Sequence, residues 1–389
     1  MSAALAVLDA ASAALLAAML IVAVANLVTA PRLERAGEAR ETPLVSLLVP
    51  ARDEAANLRA NLPLLLAADY PRLEIIVLDD GSGDGTASVV QALARESGGR
   101  LRLVRGAALP DGWLGKSWAC AQLADQAFGD VLLFCDADVA AGPCAVRRTV
   151  ALLRRHAAGA VTAIPRHRLG TWAEASVVPI VAQLPVAATL PLALVPRTAA
   201  PSLSMANGQW LAFTRKAYER IGGHASVRDQ VLEDVLLGRA VKCAGLRLVA
   251  AVATRDLSVR MYGGWGEVRA GFRKNLYALL GGRPAPFIAG VGAFLLAAVY
   301  PMAAAVRGSW VPLALLLALR TLSALLFRQR WTAVALHPVG AVLALAIAIE
   351  SFITRRTVEW RGRRVAVPGS ARGRMNSRQQ PHEVPLRGL

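Results

Sequence analysis

Cysteine is scarce in this chain: Cys120, Cys135, Cys144 and Cys243 are four in 389 residues, and none stands in a Cys-x-x-Cys pair. That excludes a disulfide framework and a cysteine zinc site and fits reduced thiols. The five histidines show no His-x-x-His or His-x-Glu spacing, so no histidine metal centre is expected. Acid is in short supply too, 27 Asp and Glu against 44 Lys and Arg, a formal net charge of +17. Such a balance suits nucleic acid or an anionic lipid surface. No nucleic-acid motif with interleaved aromatics occurs, and the basic residues sit beside apolar spans and in the tail, so lipid is expected and nucleic acid is not. The chain shows no internal repeats.

Apolar residues are abundant. They make up 55% of the chain, and the mean hydropathy of +0.43 is high for a soluble enzyme and low for an all-membrane transporter. From about Ala10 to Ala30 the sequence is almost purely apolar, long enough to span a bilayer, which makes residues 1–31 a transmembrane anchor. A cleaved signal peptide is the rival reading, but the segment has no basic start and runs long. Arg32, Arg35 and Arg40 follow it, so the positive-inside rule places the next domain in the cytoplasm. Three further apolar stretches near 285–306, 309–327 and 333–353 make 284–354 a second transmembrane region of a multi-pass cell-membrane protein.

Three simple crossings there would put the tail outside, yet residues 355–389 begin with Arg355, Arg356, Arg361, Arg363 and Arg364. Either 309–327, which contains Arg320, is no simple span, or one segment lies in the interface; an even number of C-terminal crossings satisfies the charge rule. After 370 the tail is rich in Arg, Ser, Pro and Gln and reads as disordered. The apolar stretch 177–197 carries four prolines and is expected to lie flat at the membrane surface, where a lipid would enter.

Between these regions lies one domain, residues 42–280; from Leu44 to about Leu257 it alternates strand-like and helix-like patterns, which predicts an α/β fold with a mainly parallel sheet. Three acidic clusters punctuate it: IIVLDDGSGDGT at 75–86, VLLFCDAD at 131–138 and QVLEDVLLGRAVKCAG at 230–245. Apolar runs that stop at acid and glycine read as strands ending at the carboxyl edge of the sheet, where such folds bind ligands. Carboxylates gathered there suit a divalent cation and the phosphates it neutralises. Gly81, Gly83 and Gly85 permit a tight turn. Asp84 and Thr86 favour a helix start.

In order, VPARDE (49–54), VLDDGSGDGT (77–86), GWLGKSWAC (112–120), DAD (136–138), NGQWLAFTRKAYERIGGH (207–224) and VLEDVLLGRAVKCAG (231–245) resemble glycosyltransferase family 2. The likeness is greatest to its membrane-bound members associated with carotenoid and hopanoid lipid pathways. RMYGGWGEVRAGFRKNLYA (260–278) and VEWRGRRV (358–365) add to it. The resemblance implies a GT-A fold, a UDP- or GDP-sugar donor, Mg2+ or Mn2+, and inversion at the anomeric carbon. It makes Asp138 the preferred metal ligand, with Asp136 holding the ribose or assisting through water. Asp80 would accept from the base, Asp79 would brace the turn, and Pro50, Ala51 and Glu54 would line the same pocket. Lys116 would meet the donor phosphates, and Arg260, Arg273 and Lys274 are basic enough to contact the diphosphate. Asp234 is the candidate general base, with Glu233 supporting it. Asn207, Gly208 and Gln209 would shape the acceptor side, and His224 reads as a structural loop residue.

The chain departs from the family pattern at Asp53, where Asn is commoner, and at Arg269, where an aromatic is expected. The QxxRW motif of processive polysaccharide synthases is absent, which weakens that alternative. A non-catalytic scaffold would be expected to lose Asp138 or Asp234, and both are present. The expected activity is therefore sugar transfer to a lipid acceptor, carotenoid, hopanoid or another polyprenoid. It requires Asp80, Asp138 and Asp234 to converge around one cavity.

Overall fold

The computed structural model describes residues 3–37, 41–354, 357–360 and 363–366. Arg355, Arg356, Arg361 and the tail from 367 onward lie outside the described residues, as does the expectation made for them. The backbone of 357–360 and 363–366 forms an antiparallel hairpin.

The first strands are β1 (Val45–Ala51), β2 (Leu73–Asp79), β3 (Leu101–Arg105), β4 (Val131–Cys135) and β5 (Val139–Ala141). They are followed by β6 (Ala160–Ile164), β7 (Arg166–His167), β8 (Trp210–Thr214), β9 (Leu248–Val252) and β10 (Leu257–Val259). Seven form one sheet in the order β3-β2-β1-β4-β8-β6-β9, parallel except where β8 runs against both β4 and β6. A small sheet, β5-β10-β7, stands just beyond the end of β4.

The strand runs are continuously apolar because both faces of the sheet are covered. Alternate residues serve opposite layers. Leu47, Ile75, Leu133 and Val161 pack against the helices Ala55–Leu66 and Ala145–Arg155. Leu48, Ile76, Leu132 and Phe213 pack against Gly115–Asp125 and Glu233–Cys243. The register that pairs Ala51 with Asp79, and Leu48 with Phe134, sets the loops after β1, β2 and β4 side by side at one sheet edge.

The second layer also receives Ala30, Leu192, Val195, Leu326 and Phe327, so one end of a helical bundle is fused to the α/β domain. Among the described residues, two helices are long and apolar enough to cross a membrane, Ala3–Thr29 and Pro284–Val306. The first is about 40 Å long at 1.5 Å per residue, more than the roughly 30 Å hydrocarbon core. Its side chains Val7, Ile21 and Val28 are 67%, 71% and 68% exposed, apolar surface of the kind a membrane covers. Two shorter apolar helices, Val311–Phe327 and His337–Ile353, complete the bundle. Arg307 pairs with Asp9 at 3.4 Å, which marks the end far from the α/β domain.

The stretch 177–197 is no crossing helix. It breaks into Trp172–Val178, a wide turn over Pro179–Gln183, Leu184–Thr189 and a tight turn over Leu192–Arg197. Val177, Ile180, Leu184, Ala187, Leu192 and Val195 are all buried, so protein contacts account for much of its apolarity. Asn26 of the first helix ties it down, donating to Ala187 and Leu190 carbonyls at 2.9 and 2.8 Å and accepting from the Leu192 N–H at 2.8 Å.

Arg320 is fully buried, and its NH2 donates to the Ala333 carbonyl at 2.8 Å. His337 lies 3.0 Å from the Ala298 carbonyl, in the widened turn Leu295–Val299 that interrupts Pro284–Val306. Non-helical backbone is tolerated at membrane depth only where protein satisfies it, and these side chains do so.

Candidate active site

The loops after β1 and β2 are stitched together. Asp53 N–H donates to Ser82, Glu54 N–H to Thr86, and Ala55 N–H to Asp84, each at 2.9 Å. Gly83 N–H returns a bond to Asp53 at 2.9 Å. Asp84 thus serves two helix starts, since its other oxygen accepts from Thr86 N–H at 3.0 Å. Burial raises the Asp84 pKa, but these hydrogen bonds, led by the Thr86 hydroxyl, outweigh it and hold it below the usual range. Gly81 and Gly85 adopt φ of +71° and +87°, where a side chain would be strained, whereas Gly83 does not have a positive φ.

Asp79 lies in this turn. It is buried, accepts from Ser82 N–H at 3.0 Å and pairs with Arg105 at 2.6 Å. Asp80 instead faces a cleft of about 170 Å³, lined also by Pro50, Ala51, Arg52, Glu54, Lys116, Asp136 and Asp138. Arg52 NH1 donates to the Asp80 carbonyl at 3.0 Å and lies 3.3 Å from its carboxylate. The sequence reading passed over Arg52, although it stands inside VPARDE.

Beyond β4, the Asp136–Val139 turn closes with a 3.1 Å hydrogen bond, and buried Asn61 donates to the Ala137 carbonyl at 2.9 Å. Nothing in the spacing of Asn61 from this turn, in sequence, announces that support. The turn holds Asp138 with one carboxylate oxygen buried and unpartnered. Burial first, then the neighbouring Asp136 and Glu54 charges, push its pKa up to about 7. An orphaned oxygen among like charges fits a cation: Asp138 and Asp136 would supply two carboxylates, leaving remaining positions to donor phosphates. No group of three or more metal-type side chains occurs among the described residues.

Lys116 links this edge to the third acidic cluster. Its Nζ lies 2.8 Å from Asp136 and 3.4 Å from Glu233. Burial works against the ammonium, yet those two carboxylates outweigh it and hold its pKa well above lysine's ordinary value. Burial raises the Glu233 pKa, with Lys116 opposing. Asp234 accepts from Gly208 N–H at 2.8 Å and lines a narrow pocket that shares Pro50, Lys116 and Asp136 with the first cleft. So Asp80 and Asp138 face one cleft, and Asp234 an adjoining recess across Lys116.

A Cβ on Gly208 would stand 3.0 Å from Lys116 Nζ and 3.5 Å from Asp234, which explains glycine there. Asn207 and Gln209 exchange hydrogen bonds at 3.0 Å and hold that turn. His224 is structural, buried and 2.8 Å from the Tyr218 hydroxyl, with its pKa pushed down to about 3 by burial and Lys116.

A larger cavity, about 1260 Å³, opens from Asp138 and Glu54 toward the helix Trp265–Leu279 and includes Lys274, Arg260 and Tyr262. Lys274 has its pKa lowered by burial. Arg260 pairs with Glu174 at 3.2 Å. Arg273 is ion-paired with Glu350 of the helix His337–Ile353 at 3.1 Å.

The chain is 28% identical over 248 residues to 4,4'-diaponeurosporenoate glycosyltransferase of Staphylococcus haemolyticus, covering 61% of this chain and 62% of that protein. It is 32% identical over 121 residues to Beta-monoglucosyldiacylglycerol synthase of Trichormus variabilis, covering 31% of this chain and 25% of that one. It thus spans less than two thirds of either curated relative. Among solved structures, the mannosyltransferase PcManGT from Pyrobaculum calidifontis, in complex with GDP-Man and Mn2+, aligns with a TM-score of 0.48 and 22% identity over 89% of this chain and 98% of that one. The model of Glycosyl transferase family 21 matches residues 10–371, nearly the whole chain, and with a mainly parallel sheet reversed at β8 and acids at its carboxyl edge, this protein belongs to that family.

Proposed function

We propose that this protein moves a sugar from a UDP- or GDP-sugar to a membrane lipid of the polyprenoid kind, carotenoid or hopanoid, with inversion at the anomeric carbon. The observation that carries this reading is the Lys116 bridge, which sets the strand-end acid Asp136 and the helix-start acid Glu233 on one ammonium. Donor-side and acceptor-side carboxylates are thereby within reach of a single sugar.

Asp80 accepts from the nucleotide base in the cleft after β1 and β2. Asp138 and Asp136 would hold Mg2+ or Mn2+, which when bound would offset the charge developing on the leaving diphosphate. Lys116 lies beside that leaving group. Asp234, oriented by the Gly208 N–H, takes the proton of an attacking hydroxyl. A carboxylic acceptor is already ionised near pH 7 and would depend on Asp234 less. The names of the two curated relatives, one acting on a carotenoid acid and one making a glycolipid, support a lipid acceptor.

The catalytic domain is cytoplasmic and the protein multi-pass in this reading. Arg32 and Arg35 at the domain end of the first helix support that side. Helices Pro284–Val306 and Val311–Phe327 then go out and back, an even number of crossings.

Cation-dependent release of UDP or GDP by purified protein tests the donor half. Lipid mass spectrometry of a deletion strain tests the acceptor half, with an unglycosylated precursor as the expected finding. A cysteine placed at Gly308 should label from outside intact cells and one at Thr354 only after permeabilisation; the reverse pattern would refute the topology.

A further inference from the structure

Glu350 is the one acid of the otherwise apolar helix His337–Ile353. An acid in such a helix is costly unless paired. Its carboxylate accepts from Arg269 Nε at 2.8 Å and NH2 at 2.9 Å, and from Arg273 NH1 at 3.1 Å. The two arginines stand one turn apart on Trp265–Leu279, so a single carboxylate spans both. Ser351 accepts from Tyr277 N–H at 3.0 Å, and the Tyr277 and Phe352 rings lie 5.9 Å apart. The other face of Trp265–Leu279 presents Glu267, Ala270, Gly271 and Lys274 to the large cavity that opens from Asp138.

The path of the chain explains how a membrane helix reaches this wall. Leu326 and Phe327 are packed on the catalytic sheet. Six residues on, Ala333 meets Arg320, two turns back along the preceding helix, and His337 meets Ala298, near the middle of Pro284–Val306. His337–Ile353 then returns to Trp265–Leu279. Residues 328–353 thus enter the bundle and leave it on the same side, as a re-entrant hairpin.

The geometry points to Glu350, carried on this hairpin, as a positioning residue for the lipid acceptor: it fixes the helix that walls the cavity beside the metal acid, and so sets how that acceptor is presented. This rests on the transfer reaction proposed above. It accounts for Arg269 where related sequences lead one to expect an aromatic, since this chain spends that position on an ion pair.

The test uses full-length protein in lipid nanodiscs. Glu350→Gln should raise the KM for the lipid acceptor by about tenfold while donor KM and acceptor-free nucleotide release stay within about twofold, and Glu350→Asp should recover part of the loss. Hydrogen exchange over 265–279 should quicken in Glu350→Gln, with exchange in β1, β2 and β4 unchanged. An unchanged acceptor KM, or a loss that falls equally on donor KM, overturns the assignment. If wild-type protein releases no nucleotide from any UDP- or GDP-sugar, the reaction fails as a reading, and exchange over 265–279 alone then decides whether Glu350 holds the helix.

Discussion

On the nucleotide side, the 50–55 and 79–86 loops are joined by four hydrogen bonds among Asp53, Ser82, Glu54, Thr86, Ala55, Asp84 and Gly83. On the side proposed for the acceptor, the helix Trp265–Leu279 rests on apolar packing of Val268 and Phe272, on one carboxylate shared by two arginines and on the Tyr277 N–H bond to Ser351. The first arrangement is built from short side chains and backbone and leaves little freedom. The second depends on long side chains that are 52% and 38% exposed at Arg269 and Arg273. A nucleotide has the same shape whatever sugar it carries, so rigidity costs nothing there; a bulky lipid needs a wall that gives. Preorganisation belongs where the ligand is constant.

The sharpest way to break this comparison is to remove one acid from each side. Asp138→Asn should abolish cation-dependent nucleotide release, because it takes away the carboxylate with the orphaned oxygen. Asp234→Asn should keep donor binding yet slow transfer to a hydroxyl acceptor by roughly 10³-fold, within the usual range for a general base. Isothermal titration with the donor separates the two. If Asp234→Asn also lost the donor, the division into two sides would collapse.

Lys116 stands on the boundary, so its loss should not sort cleanly. Lys116→Met should cost on the order of 10²-fold in transfer. It should also weaken donor binding and bring Asp136, Glu233 and Asp234 into mutual repulsion, visible as a lower melting temperature in the absence of cation. An effect confined to acceptor KM would show that Lys116 belongs to one side only.

Gly208→Ala is a gentler probe of the same junction. The added methyl would sit 3.0 Å from Lys116 Nζ, the mobile end of a side chain that can give way. Transfer should fall by about tenfold through displacement of the Lys116 bridge and of Asp234, with donor affinity changed less. Steady-state kinetics with both substrates varied would check it.

How much of this was legible beforehand follows the same division. The strand-end acids and their glycines stand in short contiguous motifs, and a parallel sheet brings the ends of β1, β2 and β4 together by topology alone, so the placement of Asp79, Asp80, Asp136 and Asp138 at one sheet edge could be read from sequence. Asn61 and Glu350 could not. Each acts on a partner about 80 residues away, Ala137 and Arg269, through helix packing that no local pattern encodes. The Arg273 pairing with Glu350 is hidden for the same reason, since its acid lies on another helix. The charge of the tail left two readings open, a 309–327 stretch that is no simple span or one segment lying in the interface, and the proposed hairpin rests on contacts such as Arg320 with Ala333 that no local pattern encodes.

The smallest expected effect is also the most discriminating test of the rigid side. Asp53 is exposed and sits at φ +52°, a left-handed conformation that Asn and Asp tolerate best among side-chain-bearing residues. Its carboxylate oxygen accepts from Gly83 N–H, and the carbonyl oxygen of an asparagine amide would stand in the same place. Asp53→Asn should therefore shift stability by no more than about 0.5 kcal/mol and leave donor affinity within about twofold. Asp53→Ala keeps the strained backbone and loses the acceptor, at a cost of about 1–3 kcal/mol. Denaturant unfolding of the two variants beside wild type measures the difference. Equal losses in both would mean that the negative charge, and not the hydrogen bond, holds the loops together.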